Sequence, residues 1–458
     1  MKVVFASIII TFILGGLMVL SGCGSVMDIL IPPEGPGGSA ELSGQQDPQS
    51  LQEPDEPEEV FEIIQDMGGR EIIIAAGWPY PTPELYNHMR RVSQEYNITL
   101  TTINIDYLEI MPNLEASVMA GRPFADLVLL GGDMVFSAIT GNLIYALEEF
   151  VPPEADVWGP NEWVMPTSNF LDFHWTFAPY ALNMDGMFLG VNMDIIRAIG
   201  AEDPVTLYEN GEWNFDRFLE IMRLASREDY FGISGVPGDI ISHLIAANNG
   251  YMVYDFRYAY DNPRTMRSLN LAYRIFREEG LWMPDHGIHN WQGNIFAYLD
   301  GRSVFFPLSE WTLQQRVPGR FDFAVVPFPR GPDNDGQYSF MKGFGIGVAV
   351  PRWTRNPEDV YTVFEALFQW GNTRQRTERD REYIIGLFPR AGDANRAINI
   401  LQNQGKFDLG MAIPTYNWVN GVLAEGFYDG TITVPVGVER FRSSQQMILD
   451  QALFYWVR

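Results

Sequence analysis

The sequence has little cysteine and little positive charge. Cys23 is the one cysteine among 458 residues, so no disulfide can form within the chain. Lysine occurs three times, and 31 basic residues stand against 58 acidic ones, which gives a formal net charge of −27. A surface of this sign repels nucleic acid and anionic lipid headgroups. We therefore expect no nucleic-acid partner.

The motifs of common catalytic sites are also missing. The chain has no G-x-S-x-G elbow, no Walker loop and no G-x-G-x-x-G after a predicted strand. His286 and His289 form a close pair, but no further ligand completes the three or four that zinc requires. We expect no metal, no cofactor and no enzymatic activity. A glycoside-active enzyme remains an alternative, because it needs only two carboxylates and these are abundant.

The N-terminal segment has the pattern of an export signal. An apolar run over residues 3–20 follows Met1-Lys2, and Leu20-Ser21-Gly22-Cys23 resembles the lipobox of bacterial lipoproteins. The run is long enough for a transmembrane helix, but the lipobox favours removal of residues 1–22 and lipidation of Cys23. The mature chain is then anchored by lipid at the extracellular face of the cell membrane.

Residues 23–69 are rich in proline, glycine and acidic side chains and contain no lysine or arginine. Such a composition buries too little apolar surface to fold, and it predicts a flexible tether. From Arg70 onwards, apolar runs at 70–77, 98–105 and 125–130 alternate with helical patterns at 83–96 and 107–120. This order predicts a doubly wound α/β unit with a parallel sheet.

The third apolar run ends at Gly131-Gly132-Asp133, which we interpret as a loop at the carboxyl end of a strand. Open α/β sheets bind their ligands at such strand ends. Farther along, Trp213 is interpreted as a structural residue. Asn214 or Asp216 is expected to cap the helix that follows. The apolar face of that helix is predicted from helical spacing to comprise Phe218, Ile221, Met222 and Ala225.

Several motifs between Arg70 and Trp370 occur in the order seen in one family. Ala120-Gly121, Asp126-Leu127-Val128 and Gly141-Asn142-Leu143 resemble the pattern of extracellular solute-binding proteins of family 1, the maltose-binding-like type. Gly301-Arg302-Ser303-Val304 and Val326-Pro327-Phe328-Pro329 resemble later motifs of the same family. The chain departs from the family at Val191, where tyrosine is common, and at Met193, where lysine is common.

The resemblance implies a periplasmic-binding-protein-like fold of two discontinuous α/β lobes. The first lobe would comprise residues 70–181 and 329–370, and the second residues 182–328 and 371–458. The chain would cross between the lobes three times, and a hinge would close them around a ligand. The implied function is capture of a sugar or oligosaccharide by a monomer and its delivery to ABC permease subunits. Another polar solute, such as a peptide, remains open as the ligand.

Aromatic residues in predicted loops support a sugar ligand. Flat faces of sugar rings pack on Trp and Tyr, while sugar hydroxyls bind carboxylates and amides at the rim of a preformed cleft. By the resemblance, Asp133 supplies an acidic hydroxyl acceptor, and Trp311 beside Glu310 supplies a stacking ring. The predicted ligand-binding residues are Trp78, Asp133, Trp175, Tyr180, Glu310 and Trp311.

Overall fold

The computed structural model describes residues 61–77, 83–158, 169–179, 186–283, 295, 298–314, 320–334, 336–368 and 373–456. The proposed signal peptide and Cys23 lie outside these residues. Within the described part of the chain, none of the helices is both long and apolar enough to cross a bilayer.

The first sheet is built mainly from the alternating N-terminal half of the chain. Its strands are β1 (Arg70–Ala76), β2 (Ile98–Asn104), β3 (Leu127–Leu130) and a late strand, β13 (Gly347–Ala349), and they pair in the order β13-β3-β1-β2. β1 pairs in parallel with both β2 and β3, as the alternation predicts. The late strand, Gly347–Ala349, pairs antiparallel to β3. All four residues of β3 are buried, which explains its continuous apolar sequence.

The folded part of the chain begins before Arg70. The backbone N–H of Ile64 donates to the carbonyl of Glu95 at 2.7 Å, and that of Gly69 donates to Asn97 at 2.8 Å. The end of the predicted tether is therefore held against the chain that enters β2.

Short helices cover the first sheet. The described ones are Pro83–Glu95, Ile110–Met119, Gly132–Thr140 and Pro357–Phe368, with 3₁₀ turns at Tyr107–Glu109, Leu147–Glu149 and Asp156–Trp158. Phe177 stacks on Phe364 of the last helix, with ring centroids 4.2 Å apart. A C-terminal segment thus packs on a sheet formed mainly from the N-terminal half.

The second sheet contains four strands in the order β11-β6-β10-β7. They are β6 (Phe188–Asn192), β7 (Phe231–Ile233), β10 (Ser303–Leu308) and β11 (Phe323–Val326). β10 pairs in parallel with β7, whereas β6 pairs antiparallel to both β10 and β11. Every residue of β6, β10 and β11 is buried, so the sheet is covered on both faces.

The helices that accompany the second sheet come from two stretches of chain. The first stretch contributes Met193–Ala198, Pro204–Glu209, Phe215–Arg227, Pro237–Ala247, Pro263–Tyr273 and Glu310–Gln314. A π-helical turn at Arg274–Glu278 continues the helix Pro263–Tyr273. The second contributes Thr373–Gly386, Ala391–Asn403, Leu409–Ala412, Pro414–Asp429 and Val434–Trp456. Paired short strands lie at Asn169–Phe170 (β4) with Phe173–His174 (β5), Val253–Tyr254 (β8) with Arg257–Tyr258 (β9), and Phe340–Lys342 (β12) with Gly405–Phe407 (β14).

The local predictions around Trp213 are confirmed. Trp213 is fully buried, and its indole N–H donates to the carbonyl of Pro327 at 2.8 Å. Asn214 is the N-cap, since its side-chain oxygen accepts from the backbone N–H groups of Asp216 and Arg217 at 3.0 and 3.1 Å. The four residues of the predicted apolar face of this helix are all buried.

Candidate functional site

Asp133 lies at the carboxyl end of β3, as predicted, but in a helix and not in a loop. The helix Gly132–Thr140 begins directly after Gly131, which has extended dihedral angles (φ −65°, ψ 154°) and serves as the N-cap. A side chain at Gly131 would collide with the hydroxyl of Tyr107. That hydroxyl donates to Oδ1 of Asp133 at 2.6 Å. The half-buried carboxylate is therefore oriented by Tyr107 at the end of the strand.

A distant segment also defines the position of Asp133. A Cβ on Gly132 would lie 2.7 Å from the backbone nitrogen of Gly345. The two backbones are therefore so close that only glycine fits at position 132. Gly345 itself has a φ of 79°, in the left-handed region. The segment that precedes β13 therefore lies against the first turn of the helix that carries Asp133.

The aspartate of the family-like motif, Asp126, has a structural role. Its Oδ2 accepts the backbone N–H of Ile73 at 3.0 Å, and its Oδ1 lies 3.3 Å from Nη2 of Arg70. Arg70 also contacts Asp359 at 3.1 Å. These contacts fix the entry to β3 against β1.

Glu310 lies at the corresponding position on the second sheet. It opens the helix Glu310–Gln314 two residues after β10. Ser309 and Thr312 cap this helix, because the Ser309 N–H donates to Oγ1 of Thr312 at 2.7 Å. The hydroxyl of Tyr383 donates to Glu310. Glu310 and Asp133 thus have the same arrangement: each carboxylate lies in the first turn of the helix that follows a strand, and each accepts a hydrogen bond from a tyrosine hydroxyl.

Asp239 is a third strand-end carboxylate, and no sequence motif pointed to it. It lies in the first turn of the helix Pro237–Ala247, which follows β7. The side chain is half-buried. Burial raises the pKa of this carboxyl from 3.8 to about 6. The available sequence signal was an acidic residue soon after a short strand, with Pro237 at the first helical position.

Replacing Asp239 by asparagine should stabilise the unliganded protein in a pH-dependent way. The folded-state pKa is raised, so the wild-type protein loses stability as pH rises from 3.8 through about 6, and the loss is complete above that. The variant avoids this loss. We expect it to gain about 1–3 kcal/mol at pH 7.5, since each pKa unit is worth about 1.4 kcal/mol. The gain should shrink toward pH 5, and urea unfolding at both pH values measures it.

Asp216 provides the matched control, because it also occupies the first turn of a helix but is exposed. Its replacement by asparagine should change stability by less than about 0.5 kcal/mol. A gain for Asp239→Asn of equal size at pH 5 and pH 7.5 would show that removal of a buried charge is not its cause.

The structure corrects the interpretation of Trp175 as a ligand-binding residue. The ring is 1% exposed, and its indole N–H donates to the carbonyl of Phe170 at 2.9 Å. The ring follows the short pair of β4 and β5 and belongs to the buried core, so no face is open to a sugar. Trp78, Tyr180, His286 and His289 lie outside the described residues. The backbone of Trp311 belongs to the helix after β10, but its side chain is not among the described parts of the structure.

The three carboxylates occupy equivalent places in the fold. Asp133 follows β3 of the first sheet, whereas Asp239 and Glu310 follow β7 and β10 of the second. Carboxylates in such places accept charge-assisted hydrogen bonds from hydroxyl or amino groups of a solute. Within the described chain, no group of three or more His, Cys, Asp or Glu side chains is arranged to hold a metal ion. The arrangement therefore has the chemistry of polar-solute binding.

The fold is similar to that of solved solute-binding proteins. The cyclic α-maltosyl-1,6-maltose binding protein from Arthrobacter globiformis matches with a TM-score of 0.63 and 13% identity, over 83% of this chain and 99% of its own. The sugar-binding protein MalE from Xanthomonas citri matches with a TM-score of 0.63 and 14% identity, over 85% and 99%. UgpB from Mycobacterium tuberculosis, in complex with glycerophosphocholine, matches with a TM-score of 0.64 and 16% identity, over 84% and 100%.

No protein-family model and no curated protein matches the sequence. The structural matches nevertheless extend over nearly the whole length of each neighbour, and these neighbours are named as binding proteins. The predicted fold class is confirmed: the chain has a periplasmic-binding-protein-like α/β fold, similar to that of solved ABC-transporter solute-binding proteins.

Proposed function

We propose that this chain is the lipid-anchored, extracellular solute-binding subunit of an ABC importer and that it captures a sugar or oligosaccharide. The observation that carries the proposal is the set of strand-end carboxylates, Asp133, Asp239 and Glu310, within this fold. Carboxylates oriented by tyrosine hydroxyls suit the hydroxyl groups of a sugar. The chain acts as a monomer without catalysis and passes its ligand to permease subunits.

The mechanism we propose is closure of two lobes about a hinge. The first lobe comprises residues 70–181 and 329–370, and the second comprises residues 182–328 and 371–458. The division of strands supports two lobes, because β1–β3 and β13 form one sheet while β6, β7, β10 and β11 form the other. Residues 330–342 depart from these boundaries, because β12 pairs with β14 and the N–H of Arg330 donates to the carbonyl of Trp213 at 3.2 Å. We therefore place the return to the first lobe after Lys342. The chain passes from one sheet to the other between Phe177, which bridges to Val348, and Phe188 at the start of β6. It returns between β11 and β13.

A ligand panel can be taken from the structural neighbours. α-D-tagatose, maltotetraose and acarbose are bound by three of them, and glycerophosphocholine by a fourth. A ligand at 100 times its Kd should stabilise the protein by about 2.7 kcal/mol. Closure should also reduce the radius of gyration in solution scattering. Stabilisation without compaction would argue for a rigid pocket and against a hinge.

The panel also separates the sugar proposal from two alternatives. A membrane-anchored glycoside-active enzyme would release product from maltotetraose, whereas a binding protein returns it intact. A response to glycerophosphocholine alone would reassign the ligand to another class of polar solute. Chromatography of the sugar after long incubation, together with melting curves, makes both distinctions.

The proposed anchor gives a separate prediction. Cys23→Ala should abolish incorporation of a labelled fatty acid, because the thiol is the atom that is acylated. Conversion to serine at the same position serves as the matched control and should be equally unlabelled. Labelling that persists in either variant would reject the lipobox interpretation without affecting the ligand proposal.

A further inference from the structure

Residues 343–346 form a crossing segment between the two sheets. The strand before it, β12, pairs with β14, whereas the strand after it, β13, belongs to the first sheet. Within the segment, Gly345 packs against Gly132, the residue next to Asp133. The position of Asp133 therefore depends on where the crossing segment lies.

The other side of the crossing segment is held by β14 and the short helix Leu409–Ala412. The rings of Phe344 and Phe407 have their centroids 5.6 Å apart. A Cβ on Gly343 would lie 3.4 Å from the backbone of the short helix. The same helix packs against the helix Gly132–Thr140, whose first turn carries the site. It thus contacts both the crossing segment and the helix that the segment positions.

A single carboxylate joins the short helix to its neighbours. Asp408 is 1% exposed, and its Oδ1 accepts the backbone N–H groups of Gly410 at 2.8 Å and Val253 at 3.1 Å. Its Oδ2 accepts that of Met252 at 2.7 Å. The backbone N–H of Asp408 donates to the carbonyl of Lys342, the last residue before the crossing segment, at 3.0 Å. These contacts tie the short helix, the start of β8 and the end of β12 into one junction.

Asp408 is costly to bury in its charged form. Burial raises the pKa of its carboxyl from 3.8 to about 6, although the three N–H donors and the nearby ammonium of Lys406 oppose the rise. The charged and titratable groups around it are Lys406 of β14, Tyr260, Tyr416 and, beside Lys406, Arg264. Burial lowers the pKa of Lys406 to about 8 and raises the pKa of both tyrosines. Within this group, Asp408 is therefore the residue whose charge changes near pH 6.

We propose that Asp408 is a positioning residue for the strand-end site: its carboxylate fixes the second-lobe end of the crossing segment and, through the helix Leu409–Ala412, the place of Asp133. The inference rests on the proposed function, which makes Asp133 a ligand contact and residues 343–346 a passage between lobes.

The junction should open more readily as pH rises. Opening exposes Asp408 to water, where the pKa of its carboxyl returns to 3.8, whereas in the closed junction it is about 6. The closed junction therefore binds a proton more tightly, so acidic pH favours closure and ionisation above pH 6 favours opening.

Hydrogen exchange of the unliganded protein, followed by mass spectrometry, tests this without any ligand. Protection of peptides covering residues 131–136, 250–254 and 340–349, corrected for the intrinsic exchange rate, should fall at least about tenfold from pH 4.5 to pH 7.5. The two pKa values allow up to roughly a hundredfold. Asp408→Asn should abolish this pH dependence and reduce protection of 250–254, because an amide NH₂ replaces one of the two oxygen acceptors.

Two variants serve as matched controls. Asp239→Asn removes another carboxyl with a pKa of about 6 and should keep the pH dependence at the junction. Asp393→Asn changes an aspartate that is 4% exposed and accepts the backbone N–H of Val325 at 3.4 Å, and it should leave protection of the three peptides unchanged. Wild-type protection that does not vary with pH, or an Asp408→Asn variant that loses protection equally over both sheets, would overturn the proposal.

Binding of the panel sugars is the second readout. Asp408→Asn should weaken binding roughly two- to thirtyfold, the range for residues that act on a site through packed contacts. Because Asp408 acts through Asp133, the losses of Asp408→Asn and Asp133→Ala should combine to less than their product. Losses that multiply would overturn the positioning role. If the exchange pattern holds but no panel sugar binds, the sugar proposal fails while the junction stands.

Discussion

Replacement of Trp175 by alanine is expected to lower the free energy of unfolding by about 3–5 kcal/mol, the range for large buried aromatic side chains. The ring is 1% exposed, so its removal leaves a cavity. The substitution also removes the donor to the carbonyl of Phe170. Denaturant unfolding followed by far-UV circular dichroism gives the free energies. Ligand affinity of the folded variant should change little, because the ring has no open face.

Trp353 is the matched control for this prediction. It is 57% exposed, and Trp353→Ala should change stability by less than about 0.5 kcal/mol. Trp175→Phe should fall between the two, since it keeps most of the apolar volume but lacks the indole N–H. A Trp175→Ala variant of normal stability with lost ligand binding would restore the original interpretation of Trp175 as a stacking residue.

Asp133→Ala is expected to weaken binding of the cognate sugar roughly ten- to hundredfold. Hydrogen bonds to charged groups contribute about 1.5–3 kcal/mol each, and the variant loses the acceptor for sugar hydroxyls. The half-buried position and single hydroxyl partner imply a smaller effect on stability than on affinity. Titration calorimetry with the sugar selected from the panel, alongside melting curves, measures both quantities.

Two variants show whether the charge or its orientation matters. Asp133→Asn keeps one oxygen acceptor and should lose less affinity than the alanine variant. Tyr107→Phe keeps the carboxylate but removes the hydroxyl bound to it at 2.6 Å, and it should weaken binding by a smaller factor. If Asp133→Ala bound the sugar normally, Asp133 would be part of the scaffold and the strand-end site would be wrongly placed.

Much of the local structure could be predicted from the sequence because its causes are local. Asn214 caps its helix through bonds to N–H groups two and three residues away, and the apolar face behind it follows helical spacing. The predicted strand 70–77 corresponds to Arg70–Ala76, whose buried apolar residues belong to two separate core clusters, Ala75 in one and Ile72, Ile74 and Ala76 in the other. The order of motifs also predicted the fold class, which the structural neighbours confirm.

The surroundings of the candidate site residues could be predicted less completely from the sequence, because the exposure of a side chain depends on partners far along the chain. Trp175 follows a short strand pair and is buried in the core, whereas the same residue in an open loop would be accessible. Asp133 was predicted at the correct end of β3, but in a loop. Its helix begins directly after the strand because Gly132 packs against Gly345, which lies more than 200 residues later in the chain. Asp239 follows a strand of only three residues, too short for a periodic pattern.

The sequence by itself determined the alternation of strands and helices, the caps and the acidic, cysteine-poor character of this protein. Those properties depend on each residue and its near neighbours. Only the tertiary structure decided that β13 closes the first sheet antiparallel to β3 and that Trp175 is buried. These features depend on contacts between segments far apart in the chain. Hydrophobic burial drives such contacts, and because it is non-directional, a local sequence pattern does not specify which segments will meet.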